Sequence, residues 1–284
     1  MTLSRPEVLR LLRENQAAPS RALGQNFVAD PNTVRRVARL ARVGPGDRVV
    51  EVGAGLGSLT LALAETGAKV TAVERDRRLV PLLHQVLASK APGVAVEVVE
   101  ADAMSLDWGA LLAPPPGWVL VANLPYNLAT PLVATLLDDV PAVERMLVMV
   151  QREVGERLVA GPGQPAYGAV SVKVSYWAEA TLVGTVPSSV FVPRPHVGSA
   201  LVGLRRRPTP AVDPALVPGA ELFTVVRAGF AQRRKMLRRA LAGLAGGPEV
   251  FVRAEVDPEA RAEQLSVADW GRLAASLAAS ARPA

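Results

Sequence analysis

Between residues 31 and 151, short apolar runs alternate with longer segments whose apolar positions recur at helical spacing. The runs are "DRVVEVG", "KVTAVE", "VAVEVVEAD", "WVLVAN" and "RMLVMVQ". Each is continuous rather than alternating and is bounded by Gly, Pro or Asp, the pattern of strands covered on both faces. Strands of this kind separated by helices predict an α/β fold, a doubly wound and mostly parallel sheet of Rossmann-like type. The Val-rich stretches "AVSVKVSYWA" and "ATLVGTVP", then "SALVGLRRR", are expected to add strands at one edge of that sheet. The proline-rich "RPTPAVDPALVPG", residues 207–219, reads as a linker. Helical spacing returns in "ELFTVVRAGFAQRRKMLRRALAGL", which stops at Gly246-Gly247-Pro248, and a last helix begins near Ser266. The expected organisation is a large sheet domain, residues 1–206, whose first 20 residues form a basic extension, followed by a small all-helical domain, residues 207–284.

Composition narrows the chemistry. At 284 residues, 50% apolar and 20% charged, the chain can bury a full core without staples. It has no cysteine, which excludes disulfides and thiolate metal sites, and its only histidines are His84 and His196, so no metal centre is expected. No apolar run approaches the roughly 18–20 residues that span a bilayer. The first residues, "MTLSRPEVLRLLRENQ", are charged throughout and lack the apolar core of a secretion signal, so a cytoplasmic protein without membrane partners is expected. The net charge of +6 is concentrated: residues 201–240 hold nine Arg or Lys against Asp213 and Glu221, a local +7 that leaves −1 for the remainder. Such a patch suits a polyanion, although charge alone fits a solvated helix face equally well.

In an open α/β sheet, ligands bind beyond the carboxyl ends of the strands. Glycines 53, 55 and 57 follow the first run in "EVGAGLGSLT", with Ser58 where a dinucleotide fingerprint needs its third glycine. Glu74 ends the second run, Asp102 follows the third and Asn123 ends the fourth. Singly, each polar residue could cap a helix or close a turn. Together they fit S-adenosyl-L-methionine better than a dinucleotide, with Glu74 at a ribose, Asp102 at an adenine and the methionyl tail near Gly53. In "VANLPYNLATP", the amide of Asn123 and the carbonyl of Leu124 could take both N–H bonds of an adenine amine, Pro125 would stiffen the turn and Tyr126 would stack on the base. Positioning would then do most of the catalysis, and the base would have to be unpaired or flipped out.

With these residues in view, the chain resembles the ribosomal RNA adenine dimethyltransferases from about Arg21 to Trp270. "RALGQNFVAD" is similar to that family's N-terminal motif, "NLPYN" to its catalytic signature, and "QREVGERLVAGPGQPAYGAVSV" and "FVPRPHVGSALVGL" to its later segments. The resemblance implies a class I S-adenosylmethionine-dependent methyltransferase that dimethylates N6 of two adjacent adenosines near the 3′ end of 16S rRNA. The expected partner is small-subunit rRNA within an immature 30S particle, and the enzyme is expected to be a monomer. By the same resemblance Asn123, Leu124, Pro125 and Tyr126 are catalytic, and Asn26, Val28, Gly53, Gly55, Glu74, Asp102 and Asn123 hold the cofactor. "FAQRRKMLRRAL" looks like the family's basic C-terminal helix, in which Arg233, Arg234, Lys235, Arg238 and Arg239 would grip phosphates. Three departures stand out: Ala54 in place of a common proline, and His196 and Gly198 where the family more often has Lys and Asp. Two other classes remain open on sequence alone: a binding protein that kept this fold without catalysis, and a nicotinamide oxidoreductase.

Overall fold

In a computed structural model, residues 2–20, 22–112, 116–244 and 247–281 are described; Gly246 of the expected helix stop lies outside them. The elements run α1 (Arg5–Glu14), β1 (Phe27–Val28), α2 (Pro31–Ala41), β2 (Arg48–Val52), α3 (Ser58–Ala64), β3 (Lys69–Glu74), α4 (Val80–Lys90), β4 (Val96–Glu100), α5 (Trp108–Leu111), β5 (Trp118–Asn123), α6 (Ala129–Asp139), β6 (Val143–Gln151), α7 (Arg152–Val159), α8 (Ala169–Trp177), β7 (Ala178–Val186), β8 (Phe191–Val192), β9 (Ser199–Arg206), α9 (Gly219–Ala231), α10 (Leu237–Ala240), α11 (Glu249–Ala254) and α12 (Val267–Ala281). They form two compact units. One comprises Met1–Gly155 and Thr181–Arg205, the other Glu156–Ala180 and Arg206–Ala284. This corrects the expected single boundary after residue 206, because residues 156–180 pack with the C-terminal helices.

The first unit is built on a seven-stranded sheet ordered β4-β3-β2-β5-β6-β9-β7. The strands from β4 to β6 are parallel, and β9 joins β6 antiparallel with Arg145 opposite Arg205. The apolar runs are continuous because both faces are covered. Val49, Val70, Val121, Leu147 and Leu201 pack with the buried sides of α2 and α3, while the alternate positions Val50, Val73, Leu120 and Val148 are equally buried. α2 shows how local sequence sets an element. The Asp30 side chain accepts the Thr33 N–H at 2.8 Å, Pro31 occupies the first turn, and Val34, Val37, Ala38 and Ala41 face inward. α1 begins with Ser4 donating both its N–H and its hydroxyl to Glu7 Oε2, at 2.8 and 2.6 Å, and buries Val8, Leu11 and Leu12. The strand order reverses between β2 and β5, neighbours that pair Val52 with Ala122, so a crevice opens beyond their carboxyl ends.

The second unit is helical. Its core gathers Tyr167, Val172, Tyr176, Phe223, Phe251 and Trp270, and Tyr167 donates its hydroxyl to the Leu265 carbonyl at 2.8 Å. Here two expectations are corrected. "AVSVKVSYWA" is the helix α8 rather than an edge strand: Ser171 Oγ accepts from the Gly168 N–H at 3.0 Å and donates to the Arg157 carbonyl, fixing a helical start. The long basic helix is also interrupted. α9 ends at Ala231 and α10 begins at Leu237, because the Leu237 and Arg238 N–H groups are captured by the carbonyls of Ala260 and Pro258 at 2.8 and 3.0 Å. The stretches "ATLVGTVP" and "SALVGLRRR" do form edge strands, β7 and β9, and residues 207–217 carry no helix or strand.

Candidate active site

The turns leaving β2, β3 and β5 meet the segment 22–28 around an open cleft of about 1110 Å³ of empty space. Every residue expected to be catalytic or to hold the cofactor lines it: Asn26, Val28, Gly53, Gly55, Glu74, Asp102, Asn123, Leu124, Pro125 and Tyr126. The expected phosphate contacts do not. Arg233, Arg234, Lys235, Arg238 and Arg239 are exposed in the second unit. Arg233 is paired with Glu263 at 2.7 Å and Arg238 with Glu259 at 3.3 Å, which leaves Arg234, Lys235 and Arg239 without a side-chain partner among the described residues.

Two constraints shape the floor. Gly55 has φ +59° and a Cβ there would lie 3.1 Å from the Phe27 ring, so a glycine is required by both conformation and space. Its N–H donates to Glu74 Oε2 at 2.7 Å, while the Asp76 N–H donates to Oε1 at 2.8 Å. The Glu74 carboxyl is thereby fixed at the end of β3, with acceptor capacity left on each oxygen for a vicinal diol. Burial raises its pKa, and the two N–H donors oppose the rise. Asp102 sits at the rim, where its Oδ1 accepts the Met104 N–H at 3.0 Å and its Oδ2 lies 3.1 Å from Arg75.

The catalytic candidates are held more tightly than their sequence suggests. Asn123 Nδ2 donates to the Asn26 carbonyl at 2.9 Å. That bond assigns the amide: its nitrogen faces the 22–28 segment and Oδ1 is left as an acceptor. The Leu124 N–H is spent on the Met149 carbonyl at 3.0 Å, and no hydrogen bond among the described residues ends on Asn123 Oδ1 or on the Leu124 carbonyl. The Pro125 carbonyl accepts from Leu128 and Ala129, starting α6. Tyr126 is half-buried, and its hydroxyl is buried without a partner.

Sequence reasoning missed three contributors. Glu51 lines the cleft from the middle of β2, is 1% exposed and has no partner for Oε2. Burial, with the Glu74 charge adding to it, pushes its carboxyl up to about 8. A lone carboxylate inside the apolar run "RVVEV" was the available signal. Gly24, at φ +63°, packs so closely on the catalytic turn that a Cβ would lie 3.0 Å from Asn127 Oδ1 and 3.1 Å from Pro125 Cβ. Gln25 donates to Asp76 Oδ2 at 2.9 Å, and Asp76 is held down to about 2, first by the Arg78 guanidinium and then by Gln25. Among the described residues, no three His, Cys, Asp or Glu side chains are grouped to hold a metal ion.

The doubly wound sheet, with a glycine turn and a strand-end carboxylate lining its switch-point cleft, has the fold of the class I S-adenosylmethionine-dependent methyltransferases. Comparison with known proteins narrows this. The family model of the ribosomal RNA adenine dimethylases matches residues 18–279. The ribosomal RNA small subunit methyltransferase A of Kineococcus radiotolerans is 50% identical over 99% of this chain and 94% of its own, and that of Thermobifida fusca is 49% identical over 96% and 95%. Among solved structures, the 23S rRNA methyltransferase ErmE superposes with a TM-score of 0.68 at 26% identity, covering 89% of this chain and 99% of its own. A dimethyladenosine transferase from Plasmodium falciparum superposes with a TM-score of 0.72 at 24% identity, covering 86% and 94%, and shares the fold. The chain belongs to the ribosomal RNA adenine dimethylase family. It is an S-adenosylmethionine-dependent rRNA adenine dimethyltransferase, with rRNA as its substrate.

Proposed function

We propose that this enzyme dimethylates N6 of two adjacent adenosines near the 3′ end of 16S rRNA, acting in the cytoplasm as a monomer on an immature 30S particle during ribosome biogenesis. The observation that carries the chemistry is the fixed Asn123 amide, whose Nδ2 is given to Asn26 while Oδ1 and the Leu124 carbonyl stay unengaged. An adenine amine is a weak nucleophile because its lone pair is delocalised into the ring. When both N–H bonds are taken by these acceptors, the lone pair is localised and directed into the cleft. S-adenosylmethionine supplies a methyl group activated by its sulfonium. Bound there it would give up that methyl and leave as the neutral thioether, while Asn123 Oδ1 and the Leu124 carbonyl would hold the amine towards it until one N–H proton is lost to solvent. For the second round a monomethylated amine keeps one N–H for one acceptor.

In this reading Glu74 receives the ribose hydroxyls, Asp102 the adenine, Asn26 and Val28 the adenosyl group from the opposite wall, and the backbone at Gly53 and Gly55 the methionyl tail. Tyr126 stacks on the target base. The donor set suits the cofactor: Glu51 leaves a buried oxygen without a partner in the same cleft, an acceptor for an N–H of the methionyl amino group. The first unit is the methyltransferase domain and the second contributes RNA contacts, with Arg234, Lys235 and Arg239 free to reach phosphates while Arg233 and Arg238 must first leave their carboxylates. The test is methyl transfer from tritiated S-adenosylmethionine to 30S particles lacking the modification, with the labelled nucleotides mapped. Asn123→Ala is expected to lower kcat by roughly 10²–10³-fold, the usual scale for losing one preorganised polar contact, with cofactor affinity largely kept. Undiminished incorporation, or label away from two neighbouring adenosines, would overturn the assignment.

A further inference from the structure

Positive charge also clusters locally outside the C-terminal helices, although the chain outside residues 201–240 has no net excess of it. Residues 31–46 carry four arginines, at 35, 36, 39 and 42, and no Asp or Glu. All four are exposed, on the side of α2 opposite Val34, Val37, Ala38 and Ala41, which pack on the sheet. They are spaced i,i+3 and i,i+4, the separations at which helix side chains are neighbours and like charges repel. Arg36 donates to the Thr185 carbonyl at 2.9 Å, and none of the four pairs with a carboxylate among the described residues. The two flanking acids are committed elsewhere. Asp30 caps Thr33, and Asp47 accepts the Gly44 N–H at 2.8 Å and lies 3.9 Å from Arg145.

Two further arginines extend the strip. Arg145 donates to the carbonyls of Ala41 and Arg42 at the end of α2, at 3.3 and 3.5 Å, and its strand partner is the exposed Arg205. Both project from the sheet face of Leu147 and Leu201, the face on which α2 rests. A solvated helix face normally intersperses both signs, whereas here Asp47, 3.9 Å from Arg145, is the one acid paired with the strip among the described residues. The C-terminal cluster differs, because two of its five cations are already neutralised by Glu263 and Glu259.

We propose that the arginine face of α2, extended by Arg145 and Arg205, is a second RNA-binding surface that tracks the phosphate backbone of the rRNA substrate. The proposal rests on the rRNA reading given above. The surface contributes affinity without sequence readout, since phosphate contacts position a protein on nucleic acid and base contacts specify.

The test measures binding of the full-length enzyme to 30S particles lacking the modification across a potassium chloride series. Arg35, Arg39 and Arg42 are replaced together by Gln, and in a second variant together by Lys. If each arginine neutralises one phosphate, the slope of log K against log salt should flatten by about 2–3 in the Gln variant, at roughly 0.7–0.9 per phosphate. It should stay close to wild type in the Lys variant, and S-adenosylmethionine affinity should be unchanged in both. An unaltered slope in the Gln variant would overturn the proposal, as would a loss that Lys fails to restore, because the effect would then come from packing rather than charge. Failure of the wild-type enzyme to bind 30S particles would instead sink the rRNA reading on which the proposal stands.

Discussion

Replacing Gly24 by alanine isolates the contribution of the 22–28 segment to catalysis. Gly24 is left-handed at φ +63°, a conformation that costs a residue with a Cβ roughly 1–2 kcal/mol. The new methyl group would also lie 3.0 Å from Asn127 Oδ1, 3.1 Å from Pro125 Cβ and 3.5 Å from the Tyr126 nitrogen. The segment and the catalytic turn must therefore separate by a few tenths of an ångström. Two residues along, the Asn26 carbonyl holds Asn123 Nδ2, and Asn26 itself is braced by its Nδ2 bond to the Gly24 carbonyl at 3.1 Å. The displacement is thus transmitted to the Asn123 amide, which we propose receives the amine. A misplacement of about 1 Å costs on the order of 10²-fold in rate, so a shift of a few tenths should lower kcat by about tenfold. The KM for S-adenosylmethionine should change by less than kcat, since of the cofactor contacts only those of Asn26 and Val28 lie on the displaced segment while those of Glu74 and Gly55 are untouched. Steady-state methyl transfer on undermethylated 30S particles, with thermal unfolding alongside, reads both effects. A wild-type kcat accompanied by the expected stability loss would show that the segment does not register the catalytic turn, and the reasoning would fail.

Two further outcomes follow from groups that are buried without a partner. The Glu51 carboxyl holds its proton up to about pH 8 in the folded chain, against 4.5 when unfolded. Its stabilising contribution is therefore present in full below about pH 4.5 and is lost as pH rises towards 8. Relative to Glu51→Gln, the cofactor-free wild type should lose denaturant midpoint steadily across that window, and parallel midpoints would refute the assignment. In the second unit, a Cβ on Gly229 would lie 2.5 Å from Cη2 of the fully buried Trp270. Gly229→Ala gains about 1 kcal/mol of helix propensity, but overpacking a fixed ring costs about 1–3 kcal/mol, so the substitution should destabilise on balance. In a Trp270→Phe background the same change should cost less, and strictly additive costs in urea unfolding would exclude the clash.

Much of the first unit was legible because its chemistry sits where apolar runs stop. Glu74 and Asn123 each end a strand, and the glycine turn follows another, so strand periodicity placed them before any coordinates did. Glu51 escaped because it interrupts a run rather than ending it, and a lone acid in a strand reads as noise until its burial is seen. α8 was misread because Val alternates with polar residues in "AVSVKVSYW", the period of a strand. The Gly168–Ser171 bond and the packing of Val172 and Tyr176 into the helical core override that period. The break between α9 and α10 has no Gly or Pro to announce it, because it is imposed by carbonyls of residues 258 and 260, 20 and 23 positions further on.

The chain passes between its two units three times, near residues 155, 180 and 205. The smaller unit is therefore not an appendage. Tyr167, Val172 and Tyr176, which precede the last two sheet strands, share one core with Phe223 and Trp270, which follow them. A lineage could not acquire or discard this unit by a fusion or a stop codon at one end, since a cut after residue 206 would strand those side chains without the helices that enclose them. Removing the second unit whole would take two excisions, of residues 156–180 and of residues 206 onwards.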